Sequence, residues 1–150
     1  MNRTATSTLA LSLATLGTSS VAELTTAPDA WELLSQIEIT ETITDTSYRA
    51  DKVFPEALTD AAAGFTIIGY AVPYAMPGQA VDTLMVVADM GDCPFCGASD
   101  HAGSLEVRLA TPITGLEDGA RIALTGDLEL ITDPETWQSA ILRNARVVTG

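Results

Sequence analysis

The residues of this chain best suited to chemistry fall within one short segment. Cys93 and Cys96 are its only 2 cysteines, in Met90-Gly91-Asp92-Cys93-Pro94-Phe95-Cys96-Gly97, and the 1 histidine, His101, follows after Gly97 to Asp100. Two sulfurs separated by two residues can converge on one metal ion, because the intervening turn points both the same way. With the His101 imidazole and either a carboxylate, such as Asp92, or water, they would complete a tetrahedral zinc site. The sulfurs alone would suit Cu(I).

Two other readings stay open on the residues. In an oxidising compartment, neighbouring thiols close a structural disulfide, and Cys-x-x-Cys is also the signature of thiol-disulfide exchange. In the thioredoxin arrangement the first cysteine caps a long helix, whose amides lower the thiol pKa. Here only Ala98 to Ala102 lie between Gly97 and Gly103. That is too short for such a helix, so a thioredoxin fold is not expected.

Enzymatic constellations are otherwise missing. The sequence has no glycine-rich phosphate loop and no serine in a nucleophile elbow, and a Ser-His-Asp or Cys-His arrangement would have to be built on His101. Glu117-Asp118 stands beside Gly119 and reads as a turn. Met85 sits in an apolar run and reads as core filling, while Met76 and Met90 are weaker candidates for soft-metal binding. The expectation is a binding protein, not an enzyme.

Length and charge narrow the partners. A chain of 150 residues has room for one domain. Its 7 basic and 20 acidic residues give a net charge of -13, with no Lys/Arg cluster to neutralise phosphates. Nucleic acid is therefore not an expected partner. Residues 1–22 read as a secretory signal peptide: Arg3 supplies positive charge, Leu9 to Leu16 an apolar stretch, and Ser20-Val21-Ala22 small residues before a cut. That stretch falls short of the ~20 apolar residues a membrane span needs, and no later segment comes closer. Periplasmic or secreted localisation follows, with residues 23–150 as a single mature domain.

The elements that must position the cysteine segment can be read in the same way. Within an N-terminal extension, 23–64, Pro28-Asp29 signals a short helix holding Trp31, Leu33, Leu34 and Ile37. Asp45-Thr46-Ser47 reads as a turn, and a second short helix ends at Gly64. In the 65–150 core five strands are expected: Phe65–Val72, Thr83–Ala88, Leu105–Leu109, Arg121–Ile131 and Ile141–Val148. Leu105, Val107 and Leu109 alternate with Glu106 and Arg108, giving one buried and one wet face. Gly126 marks a bulge or sharp coil in a long strand. The pattern predicts a mainly β protein, a small OB-like antiparallel barrel of five strands, with a β-sandwich as the alternative.

In order, Trp31-x-x-Leu34, Gly69-Tyr70-x-x-Pro73, the Cys93-to-Cys96 loop and Gly126-Asp127-Leu128 resemble an uncharacterised family of exported bacterial proteins, a domain of unknown function. The similarity runs from about Trp31 to Val148. Members are often encoded beside metal-ion ABC transporters. The resemblance implies an exported location and an association with metal handling, with such a transport system or its binding protein as partner. It implies no catalytic residues.

Overall fold

The computed structural model describes residues 29–90 and 103–148. The chain forms α1 (Ala30–Ser35), β1 (Glu38–Ile43), β2 (Tyr48–Val53), α2 (Glu56–Asp60), β3 (Phe65–Pro73), β4 (Val81–Val87), β5 (Ser104–Ile113), β6 (Arg121–Leu130) and β7 (Ala140–Val147). The last five strands close into a barrel in the order β3-β4-β5-β7-β6. The expected OB-like barrel is present, and each of its strands overlaps its expected range. The residues read as a signal peptide lie outside the described ones.

Alternation builds the wall. Along β3 the inward positions Phe65, Ile67, Gly69 and Ala71 are buried, and the outward Thr66 and Ile68 are exposed. Leu84 and Val86 of β4, Val107 of β5, Leu124 of β6 and Leu142 of β7 have no exposed surface. Each such side chain taken from water contributes roughly 1.5–3 kcal/mol. Leu33 and Leu34 from α1 and Leu58 from α2 join the same apolar cluster.

The barrel is mixed, not wholly antiparallel. β3–β4, β3–β6, β4–β5 and β6–β7 pair antiparallel, whereas β5 and β7 run parallel, with Glu106 opposite Ile141 and Val107 opposite Leu142. Closure makes this unavoidable. Strand directions cannot alternate all the way round a ring of five, so at least one neighbouring pair must be parallel.

Gly126 lies opposite a bulge instead of carrying it. Thr125 pairs with Arg146 and Asp127 with Arg143, so the extra residue belongs to β7. Asn144 there takes φ 51°, a left-handed conformation that asparagine tolerates better than most residues. Its Nδ2 donates to Asp127 Oδ2 at 3.0 Å. A Cβ on Gly126 would stand 2.5 Å from the Arg143 carbonyl oxygen. The glycine admits the bulged backbone.

α1 starts where Asp29 accepts a hydrogen bond from the Trp31 amide at 3.1 Å. Its indole Nε1 then donates to the Ile68 carbonyl at 2.8 Å. A Cβ on Gly69 would come within 3.1 Å of that ring and 2.5 Å of the Val87 carbonyl oxygen. Trp31 and Gly69 thus seat α1 against β3. Between the helices, β1 and β2 form a separate antiparallel ribbon that the sequence reading does not contain; it recognised only the intervening turn.

Candidate functional site

Asp92, Cys93, Cys96 and His101 lie outside the described residues, so the structure neither assembles nor separates them. What is described is the stem that carries them. β4 and β5 are antiparallel neighbours, Val87 pairs with Ser104, and the Ala88 amide donates to the Gly103 carbonyl at 3.0 Å. The described residues on either side, Ala88 and Gly103, are therefore clamped together. Among the described residues, no group of three or more His, Cys, Asp or Glu side chains is placed to hold a metal ion.

The methionines divide. Met85 is half-buried and lines a cavity instead of joining the buried cluster. Met76 and Met90 are 70% and 54% exposed. The Met90 methyl group lies against Gly119, where an added Cβ would come within 2.9 Å of it. Glu117-Asp118-Gly119 is a turn, as expected, with Gly119 at φ 76°.

Sequence reasoning missed a cavity of about 200 Å3 between the outer surface of β4 and β5 and the β6–β7 connection. Leu34, Ile37, Met85 and Leu105 give it an apolar side, while Tyr74, Glu106, Trp137 and Gln138 give it aromatic and polar groups. Glu106, expected on the wet face, has a side chain only 20% exposed. One carboxylate oxygen accepts from Arg108 Nε at 3.0 Å, and the other accepts from Gln138 Nε2 at 2.9 Å. Burial and the Glu106 charge both raise the pKa of Tyr74, so its phenol stays protonated as a donor at neutral pH.

Hydrogen bonds from several elements hold the loop over this cavity. The Ile131 amide donates to Ser139 O at 2.8 Å, and the Gln138 amide donates to Thr136 Oγ1 at 3.2 Å. From the ribbon, the Ala50 amide donates to Pro134 O at 2.8 Å and Lys52 Nζ to Asp133 O at 2.7 Å. Partial burial at that contact lowers the Lys52 pKa. Glu106 was visible in the sequence only as an outward strand position. No local pattern could have paired it with Gln138, which lies 32 residues away.

Arg49, Arg108 and Arg143 are each ion-paired, with Asp51, Glu106 and Glu129. No described helix is long and apolar enough to cross a membrane. The fold defines the class, a mainly β protein built on a closed five-stranded OB-like barrel. The chain matches none of the protein-family models, curated proteins or solved structures with which it was compared.

Proposed function

We propose that the chain is an exported, non-enzymatic metal-handling protein, in which Cys93, Cys96 and His101, with Asp92 or water, hold a zinc or copper ion. The observation that carries this reading is the placement of all its thiol and imidazole donors in one connection between two paired strands. The clamp between Ala88 and Gly103 supports it, since a fixed stem limits the chain entropy lost when a loop closes on an ion. A metal stabilises thiolates that would otherwise be protonated at neutral pH, so binding releases protons. On the family resemblance, the partner is a metal-ion ABC transport system or its binding protein, and the compartment is the periplasm.

Native mass spectrometry with and without reductant tests the proposal. Reduced protein is expected to take up about one equivalent of zinc or Cu(I), following the one-site stoichiometry of such clusters. Cys93→Ser abolishes uptake, and His101→Ala weakens zinc retention. Uptake indifferent to His101→Ala identifies a two-sulfur Cu(I) site. If reduced protein takes up neither metal, the reading fails. A reversible disulfide of high reduction potential then assigns the loop to thiol exchange, and one resistant to glutathione makes it a structural staple.

A further inference from the structure

The β1–β2 ribbon has one edge closed and one open. At its turn the Thr44 amide donates to Ser47 O at 2.8 Å, which makes Thr44 and Ser47 a hydrogen-bonded pair. By the alternation of an antiparallel ladder, Thr42–Arg49, Thr40–Asp51 and Glu38–Val53 are hydrogen-bonded as well, and the pairs between them are not. The Ala50 amide accordingly points away from β1 and donates to Pro134 O at 2.8 Å, and Lys52 Nζ reaches Asp133 O at 2.7 Å. The β6–β7 connection thus closes the β2 edge. On β1 the same alternation turns the N–H and C=O groups of Ile39, Glu41 and Ile43 outward, and nothing pairs with them among the described residues.

Proteins ordinarily blunt such an edge with lysine, proline, a bulge or a covering element. β1 has neither lysine nor proline, its register with β2 is unbroken over 38–43, and Ile43 is 73% exposed on it. Anchored along β2, the edge is preorganised to accept one more strand.

Charge selects that strand. β1 carries Glu38 and Glu41. Glu41 Oε1 accepts from the neutral Tyr48 hydroxyl, and among the described residues neither glutamate has an ion-pair partner. The cations of the ribbon are engaged elsewhere, Arg49 with Asp51 and Lys52 at Asp133. A second copy fits poorly: antiparallel pairing about the middle of the edge sets two Glu41 carboxylates directly opposite, and each chain carries a net charge of -13. We infer that β1 docks an extended basic segment of a partner protein, added antiparallel as a third strand, with lysine or arginine opposite Glu38 and Glu41 and apolar residues opposite Ile39 and Ile43. The inference uses no residue of the cysteine loop and stands or falls apart from the metal reading.

The test is an NMR titration of the isotope-labelled full chain with the acetylated, amidated peptide Ile-Thr-Lys-Thr-Val-Lys, ordered to face β1 from Ile43 back to Glu38. Saturable amide shifts, largest at Ile39, Glu41 and Ile43, are expected with Kd on the order of 1 mM or tighter, the range of a short ligand held by few contacts. Glu41→Lys should weaken binding about three- to tenfold, because it exchanges an opposite-charge cross-strand pair for a like-charge one. Barrel amides of that variant should keep their shifts, which excludes a folding defect. Methylating the amide nitrogens of the peptide's first lysine and its valine, which would face β1, should abolish binding, whereas methylating those of its two threonines, which would face away, should not. The inference is overturned if no shift saturates, if the shifts lie away from β1, if Glu41→Lys leaves binding unchanged, if the glutamate counterpart Ile-Thr-Glu-Thr-Val-Glu binds equally, or if the two methylated peptides behave alike. Protection of the Ile39, Glu41 and Ile43 amides from hydrogen exchange before peptide is added overturns it too: protection that depends on protein concentration assigns the edge to a second copy, and protection that does not assigns it to another segment of this chain.

Discussion

The barrel and the β1–β2 ribbon are both β-structure built largely from antiparallel pairs, yet burial separates them sharply. Every barrel strand contributes side chains to the core, whereas β1 buries none and β2 buries only Ala50. Ile43 and Val53 of the ribbon are 73% and 62% exposed. A two-stranded ribbon is marginal alone, because it has no second layer against which to remove apolar surface from water. This one is held by hydrogen bonds from the Ala50 backbone amide and the Lys52 side chain to the β6–β7 connection. β-propensity makes strands in both regions; only closure makes a core.

That contrast can be broken most severely in the barrel. Val107 is fully buried, and Val107→Asp places an unpaired charge there at a cost of several kcal/mol, on the order of the whole stability. Circular dichroism should show an unfolded or aggregated protein, while Ile43→Asp in the ribbon should fold with a near-native urea midpoint. Equal losses from the two would mean the ribbon is as much a part of the core as β5.

Closure itself is tested by Gly126→Ala. Its Cβ would meet the Arg143 carbonyl at 2.5 Å and the Ala145 Cα at 3.0 Å, both backbone atoms that cannot turn aside as a side chain would. A loss of about 1–3 kcal/mol in urea unfolding is expected, the usual range for overpacking. A neutral result would show that the β7 bulge at Asn144 relaxes freely.

The smallest effect is expected from Asp51→Asn in the ribbon. Hydrogen bonding to Arg49 holds the Asp51 carboxyl below its ordinary range. A lowered folded pKa adds stability above the unfolded value of about 3.9, and that stability is lost as pH falls through the lower folded value. Both side chains are more than half exposed, at 59% and 54%, so solvent screens the pair. Thermal midpoints of parent and variant should coincide from neutral pH down to the acid limb. A gap that opens above pH 4 and closes below it would give the ribbon an electrostatic role that the barrel lacks.

Much of the barrel was legible because its strands carry their instructions locally. Leu105, Val107 and Leu109 alternate with polar neighbours, and the turn at Gly119 takes positive φ, where glycine has no steric cost. Asp29 announces α1 for a similar reason, since a capping side chain acts two residues away. The ribbon was not legible: with both faces largely in water, its strands need no alternation, and only the Asp45-Thr46-Ser47 turn left a mark. The chemical donors were read from composition and spacing alone, and Asp92, Cys93, Cys96 and His101 remain outside the described residues.

Alternation and turn chemistry therefore determined by themselves that this chain makes five barrel strands with helical segments ahead of them, because each signal acts within a few residues. Tertiary structure alone decided how those strands meet. The parallel β5–β7 pair follows from closing an odd ring, the bulge sits on β7 because Gly126 faces it across the sheet, and Glu106 finds Gln138 only after β7 has docked beside β5. Each of these joins residues remote in sequence, through contacts that exist only once the barrel has closed.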